Sequence, residues 1–234
     1  MKKGSQTPAF RRTPAPAIQG IKHRTMDNTK TAVDIFDKHA RLYQDKYMDT
    51  SMYHDTFDVF CDNIARKNAD MLELACGPGN ITAYLLKKRP DLKILGTDLS
   101  PNMIDLAKKN NPEAEFRLMD CRNIDQINKK YDAIMCGFAL PYLSKEEAIK
   151  LIGDAAGVLK PGGIFYLSTM EDDYGKSGLQ QSSTGDSIYM YYHQADYLTG
   201  ALRENGFIVI HLQRKTYTDG SGTIDLVIIA GCGS

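Results

Sequence analysis

Strand-like and helix-like stretches alternate between residues 70 and 170. The strand-like runs are short and apolar and lie at 70–75, 92–98, 115–120, 131–137 and 163–170. The helix-like segments are amphipathic and lie at 80–89, 100–110 and 144–159. Buried strands in this order are typical of parallel strands joined by right-handed helical crossovers. The sequence therefore predicts an α/β fold with helices on both faces of a mostly parallel sheet.

The two ends of the chain predict different structure. A helix is expected at 193–206, with Gly206 as its C-cap. Two strand runs, GFIVIHLQRKTY and GTIDLVIIAG, follow it and are separated by TDGSG, which is a hairpin signal. We expect the sheet to finish with this antiparallel hairpin. Ahead of the first strand, apolar residues at helical spacing predict two helical segments, at 29–49 and 54–67.

The net charge of the chain is zero, but its charges are unevenly distributed. Residues 1–25 hold six basic residues, three prolines and no acid, and we expect them to form a disordered basic tail. Residues 26–234 hold 23 basic and 29 acidic residues, a net charge of −6, and we expect them to form one domain. A nucleic-acid-binding domain should present a basic surface, so nucleic acid is not an expected partner.

The apolar runs and the cysteines bear on where the protein resides. The longest apolar runs are strand-sized. None approaches the roughly 18 residues of a membrane span. The five cysteines are scattered, without C-x-x-C spacing or a histidine at metal-ligand spacing. Such a set is typical of reduced thiols in a cytoplasmic protein, and it predicts no metal site.

The first strand ends in a glycine turn, ACGPGNIT, with Gly77 and Gly79 two positions apart. Glycine lets the backbone turn sharply and approach a ligand without a Cβ in the way. The next strand ends in Asp98, 19 positions after Gly79, where a carboxylate can accept hydrogen bonds from ribose hydroxyls. Thr82 stands where the dinucleotide fingerprint has its third glycine, which disfavours a NAD-binding domain. A packing turn with a helix-capping acid is the alternative.

Five stretches occur in a characteristic order and spacing within residues 71–168. They are LELACGPGNIT, LGTDLSPNMIDLA, EFRLMDCRNI, YDAIMCGFALPYL and LKPGGIFYLS. This ordered set resembles the class I S-adenosylmethionine-dependent methyltransferases, and most of all their small-molecule branch, which includes the ubiquinone and menaquinone biosynthesis methyltransferases. The resemblance implies a Rossmann-like seven-stranded sheet with a helical lid formed by residues 26–69. It also implies S-adenosyl-L-methionine as the cofactor and S-adenosyl-L-homocysteine as its product.

The resemblance assigns cofactor contacts residue by residue. Asp98 would accept the ribose hydroxyls and Asp120 the adenine amino group. Gly77 and Gly79 would lie against the methionine part, and Phe138 would line the passage to the methyl. The full set implied for the cofactor, in which core packing is the alternative for Met103 and Cys121, is Tyr43, Tyr47, Glu73, Ala75, Gly77, Gly79, Asp98, Leu99, Met103, Asp120, Cys121, Cys136, Gly137 and Phe138.

The acceptor side is predicted from segment 171–194, which follows the fifth strand. It is polar and rich in glycine and serine, and it ends in a cluster of tyrosines, so we expect a substrate-covering insertion. Tyr142, Tyr189 and Tyr191 are the candidate substrate contacts, and His193 is the candidate general base. The alternatives are an aromatic strand face that packs inward, and a histidine at the surface or at a helix cap. Packing on the core is likewise the alternative for the two tyrosines of YQDKY.

We expect an enzyme that transfers a methyl group to a small-molecule acceptor, a quinone precursor or a phenolic compound, by O- or C-methylation. Methyl transfer requires that the acceptor and the methyl be held close and in line. A base is needed only where the acceptor must lose a proton. The alternatives are a tRNA or protein methyltransferase of the same fold and a non-catalytic S-adenosylmethionine-binding module. Formation of a homodimer is left open.

Overall fold

The computed structural model describes residues 27–181, 185–216 and 222–233. The main-sheet strands are β1 (Asp70–Leu74), β2 (Lys93–Asp98), β3 (Glu115–Leu118), β4 (Tyr131–Cys136), β5 (Leu159–Glu171), β8 (Phe207–Thr216) and β9 (Ile224–Cys232), and a separate hairpin is formed by β6 (Gly178–Gln181) and β7 (Ser187–Met190). The helices are α1 (Asn28–Lys38), α2 (Ala40–Tyr47), α3 (His54–Asn63), α4 (Asn80–Lys88), α5 (Pro101–Asn110), α6 (Lys145–Val158) and α7 (Ala195–Glu204). The predicted tail, 1–25, lies outside the described residues.

The seven-stranded sheet has the order β3-β2-β1-β4-β5-β9-β8. Strands β1 to β5 pair in parallel, and β9 pairs antiparallel with both β5 and β8. The predicted fold, a mostly parallel sheet with a C-terminal antiparallel hairpin, is therefore confirmed. Strand order reverses between β1 and β4, and the carboxyl ends of strands at such a switch point are where open α/β sheets bind ligands.

Apolar side chains on both faces of the sheet bury it between helices. Leu72 and Leu74 of β1 point to the face covered by α6 and α7, whereas Met71 points to the face covered by α3 and α4. This alternation follows from the two-residue period of a strand. Helices cover both faces, as predicted, and exclude water from the parallel strands. The site therefore lies at the edge formed by the carboxyl ends of the strands.

The N-terminal helical stretch differs from the sequence pattern in one respect. The segment predicted as one helical run, 29–49, breaks at His39, where φ is −110° and ψ is 20°. Nε2 of His39 lies 2.8 Å from a carboxylate oxygen of Asp186, next to β7. The break produces two helices, α1 and α2, which both contact α5.

The segment predicted as a substrate-covering insertion, 171–194, contains a short 3₁₀ helix at Tyr174–Lys176 and the β6–β7 hairpin. Ile188 and Met190 of β7 pack against Ala32 of α1. The hairpin thus supports α1 from the side. None of the helices in the described part of the chain is long and apolar enough to cross a bilayer.

Candidate cofactor and acceptor site

A cleft lies at the carboxyl ends of β1, β2, β3 and β4, beneath α1. It contains about 730 Å³ of free space, part of it open to solvent. It is lined by Thr29, Ala32, Val33, Phe36, Tyr43, Ala75, Gly77, Asp98, Leu99, Met103, Met119, Asp120, Cys121, Gly137, Phe138, Ala139, Tyr142 and Leu143. The sheet and the loops that follow its strands therefore form the floor and walls, and the N-terminal helices form the roof.

The glycine turn after β1 forms the floor of the cleft. Backbone φ is positive at Ala75 (51°), Gly77 (54°) and Gly79 (79°). A Cβ on Gly79 would lie 2.3 Å from Nδ2 of Asn111 and 3.3 Å from Cα of Ala107, so a side chain there would push α5 away. Gly77, by contrast, faces the cleft, where a Cβ would lie 3.8 Å from the ring of Tyr43. Gly79 thus serves packing of the turn, and Gly77 leaves room for a ligand.

Asp98 at the end of β2 is held in place by two backbone amides. The N–H of Gly77 donates to Oδ2 at 2.9 Å, and the N–H of Ser100 donates to Oδ1 at 2.9 Å. Burial raises the pKa of this carboxyl above its ordinary value, against the lowering effect of the backbone hydrogen bonds. Because a carboxylate has about four acceptor sites, it can also accept hydroxyl donors from a ligand in the cleft.

Glu73 in β1 is fully buried and does not line the cleft. Its Oε2 accepts a hydrogen bond from the hydroxyl of Thr82 at 2.6 Å, while Oε1 has no hydrogen-bond partner among the described residues. Burial raises the pKa of Glu73 to about 7. The residue in the place of the third fingerprint glycine, Thr82, is thus the hydrogen-bond partner of this buried acid.

Helix α1 supplies a set of lining residues that the sequence analysis missed. Thr29, Ala32, Val33 and Phe36 share one helical face, which is the i, i+3, i+4, i+7 spacing of an amphipathic helix. The ring of Phe36 lies 4.9 Å from that of Tyr142, centroid to centroid, in an edge-to-face arrangement. The signal was present in the sequence as helical periodicity, but periodicity alone does not say which surface a helix covers.

Ten of the fourteen residues assigned to the cofactor by resemblance line the cleft: Tyr43, Ala75, Gly77, Asp98, Leu99, Met103, Asp120, Cys121, Gly137 and Phe138. Four do not. Tyr47 packs on Tyr43, with 4.5 Å between ring centroids, and Cys136 is fully buried at the end of β4. Glu73 is buried and bonded to Thr82, and Gly79 packs closely against Asn111 and Ala107.

Of the residues predicted to contact the acceptor, one lines the cleft and two do not. Tyr142 lines the cleft, whereas Tyr189 and Tyr191 do not. The hydroxyl of Tyr191 accepts a hydrogen bond from Nδ2 of Asn28 at 2.9 Å, and its ring packs on that of Tyr189. These two tyrosines therefore join the hairpin region to the start of α1.

His193 is fully buried outside the cleft. Its Nε2 donates to the carbonyl oxygen of Leu140 at 2.8 Å, which leaves Nδ1 to accept from the hydroxyl of Tyr197. Burial lowers its pKa, so the ring is neutral near pH 7. Both ring nitrogens are engaged within the fold, and this placement does not support the expected role as a general base.

Comparison with known proteins shows what the chain is similar to. Residues 71–163 match the family model described as a methyltransferase domain. The fold is similar to that of 1,6-didemethyltoxoflavin-N1-methyltransferase from Burkholderia thailandensis, whose crystal structure contains 1,6-didemethyltoxoflavin and S-adenosylhomocysteine. The TM-score is 0.68 at 18% identity, over 93% of this chain and 94% of that one. The chain has the class I methyltransferase fold.

Two curated methyltransferases are similar to a little over half of the chain. Malonyl-[acyl-carrier protein] O-methyltransferase from Priestia megaterium is 34% identical over 139 residues, which are 57% of this chain and 49% of that protein. Demethylmenaquinone methyltransferase from Thermotoga maritima is 28% identical over 140 residues, 57% of this chain and 59% of that protein. The chain thus matches only about half the length of these relatives.

Proposed function

We propose that the protein is an S-adenosylmethionine-dependent methyltransferase that acts on a small-molecule acceptor. The observation that carries this proposal is the convergence of Gly77, Asp98, Asp120 and Phe138 on one cleft, since they come from the ends of four different strands. If these four residues served only packing, the strand ends that carry them would not need to face one another across free space. The family match and the S-adenosylhomocysteine found in a structural relative support the same cofactor here.

The lining residues fit the chemical groups of this cofactor. Asp98 offers carboxylate oxygens to hydroxyl groups, and Asp120 offers them to an amino group. The side chains of Leu99 and Met103 give a flat ring apolar surface, and Gly77 leaves a space that a Cβ would reduce. When bound, the cofactor supplies a methyl group on a positively charged sulfur, so the leaving group is already activated.

The protein itself must orient the acceptor and exclude water. Phe138 and Tyr142 form aromatic walls, and α1 closes the cleft from above with the ring of Phe36. Such a water-poor site holds the acceptor in line with the methyl. Burial raises the pKa of the Tyr142 hydroxyl, so this group is neutral near pH 7 and can donate a hydrogen bond to the acceptor.

The charged residues that line the cleft indicate which class of acceptor it can bind. No lysine, arginine or histidine lines the cleft within the described ranges, while two carboxylates do. An acceptor that carries a carboxylate or phosphate at the reacting end would meet no cation there. We therefore favour a neutral, flat acceptor, a phenol or a quinone precursor.

Two measurements test the proposal. Calorimetry should detect binding of S-adenosylhomocysteine, and labelled S-adenosylmethionine should transfer its methyl to phenols or quinone precursors. A parallel panel of carboxylate-bearing small molecules, total tRNA and a protein extract is the control. Absence of cofactor binding would overturn the whole proposal, and transfer to tRNA or protein alone would overturn the acceptor class.

A further inference from the structure

The guanidinium group of Arg122 joins three carboxylates from separate parts of the fold. Its Nε and Nη2 donate to Asp120, with the shortest distance, 2.7 Å, between Nη2 and Oδ2. Nη1 and Nη2 donate to the two carboxylate oxygens of Asp27 at 3.2 and 3.1 Å. Nη1 also donates to Oε1 of Glu147 at 3.0 Å. Each of these contacts is charge-assisted, and two of the pairs are bidentate.

Two of the partners connect the cofactor cleft to its roof. Asp120 lines the cleft and lies two residues after the end of β3. Asp27 is the N-cap of α1, where Oδ1 accepts a hydrogen bond from the N–H of Lys30 at 3.1 Å. Helix α1 carries the roof residues, so Arg122 bridges a wall of the cleft and the first turn of its roof.

The third partner fixes the arginine to the body of the fold. Glu147 forms a capping box with Ser144 at the start of α6, and α6 packs on the sheet. The side chain of Arg122 is 23% exposed, and the three carboxylates raise its pKa further above its ordinary value. Isolated ion pairs at the surface contribute little to stability. Arg122 is partly buried and pairs with three acids, so it belongs to a network of charges, for which that rule does not hold.

We propose that Arg122 is a positioning residue that couples cofactor binding at Asp120 to docking of α1 over the cleft. This inference rests on the proposed function. If Arg122 holds the Asp120 carboxylate still and also holds Asp27, a ligand that bonds to Asp120 stabilises the docked α1, and docked α1 stabilises the ligand. Such coupling is necessarily reciprocal. An arginine with only a structural role would stabilise the fold without linking these two events.

A double-mutant cycle with Arg122→Met and Asp27→Asn tests the coupling. Asparagine caps helices as well as aspartate does, so Asp27→Asn removes the ion pair and keeps the cap. Lys150→Met is the matched control, because Lys150 donates to the carbonyl oxygen of Arg122 and pairs with Asp125 and Asp154 without contacting either Asp27 or Asp120. The two readouts are calorimetric affinity for S-adenosylhomocysteine and hydrogen exchange of amides 28–38 with and without it.

We expect Arg122→Met to weaken binding by about tenfold and Asp27→Asn by about threefold, with no further loss in the double variant. Protection of amides 28–38 on binding should fall in both single variants and persist in Lys150→Met. Unchanged affinity in Arg122→Met, or additive losses in the double variant, would overturn the coupling. If Arg122→Met does not fold, the coupling is judged from Asp27→Asn alone, by its affinity for S-adenosylhomocysteine and the hydrogen exchange of amides 28–38. Failure of the unaltered protein to bind would instead overturn the proposed function.

Discussion

The backbone N–H of Gly77 donates a hydrogen bond to Oδ2 of Asp98 across 2.9 Å, and this contact joins the turn after β1 to the end of β2. It fixes the direction of the carboxylate before any ligand arrives. The bond forms because β1 and β2 are parallel neighbours, with Leu74 opposite Thr97, so the next residues of each strand emerge side by side. Preorganisation of this kind reduces the cost of binding.

Asp98→Asn should weaken binding of S-adenosylhomocysteine by about tenfold or more. Loss of a hydrogen bond to a charged acceptor costs about 1.5–3 kcal/mol, and asparagine keeps the shape but not the charge. Calorimetry measures the affinity, and thermal unfolding shows whether the fold survives. The control is Asp105→Asn, an exposed position on the neighbouring helix α5 that does not line the cleft. Equal affinities in the two variants would remove Asp98 from the ligand site.

Phe36→Ala should open the roof of the cleft. The ring packs edge-to-face against Tyr142 and Tyr43, so its loss removes apolar surface from both roof and wall. We expect an affinity loss of about 1–2 kcal/mol, which is about 5- to 30-fold, together with faster exchange of the α1 amides. Leu42→Ala, a change of an exposed side chain on α2, is the control and should bind normally. Normal binding by Phe36→Ala would show that the roof does not contribute to affinity.

The residues at the carboxyl ends of the strands show how much of this site the sequence predicts. Asp98, Asp120 and Phe138 could be placed because parallel strands deliver their carboxyl ends to one edge, whatever the helices do. The residues below the turn, Glu73 and Gly79, share the same motif but face the interior. A motif gives spacing along the chain, whereas the direction of each side chain depends on strand pairing and local φ.

The roof and the hairpin were harder to predict because they depend on tertiary packing. The apolar face of α1 has the same periodicity whether it covers a sheet or a ligand cleft, so Phe36 was not distinguishable from a core residue. The tyrosines at 189 and 191 formed an aromatic cluster in the sequence, but they pack on each other and reach Asn28 instead of the cleft. Whether such a residue lines the cleft or packs elsewhere depends on contacts between segments that are distant in the sequence.

His193→Asn should lower stability and leave cofactor affinity unchanged. The imidazole joins the carbonyl of Leu140 to the hydroxyl of Tyr197 in the interior, and a shorter side chain cannot reach both. An unsatisfied buried group costs about 1–3 kcal/mol. Chemical denaturation and calorimetry give the two quantities. A large fall in methyl transfer without any loss of stability would instead support the catalytic role expected from the sequence.

Glu73 should make the free energy of unfolding depend on pH. Its folded-state pKa is about 7, above the value of 4.5 for the exposed group. The folded state therefore binds more protons between these values, and stability falls as pH rises from 4.5 to about 7 and then levels off. The shift corresponds to about 3 kcal/mol at most. Glu73→Gln releases no proton, so its stability relative to the unaltered protein should increase over that window by up to this amount.

Urea denaturation at pH 5, 6, 7 and 8 measures this difference. The change with pH is the decisive quantity, because the buried amide of glutamine adds a constant cost of its own. Asp98, whose pKa is also raised by burial, is present in both proteins. Glu115→Gln, the same substitution at a side chain that is 76% exposed, is the control. If the profiles of Glu73→Gln and the unaltered protein run parallel, Glu73 is ionised in the folded state across the whole range, and some group must compensate its charge.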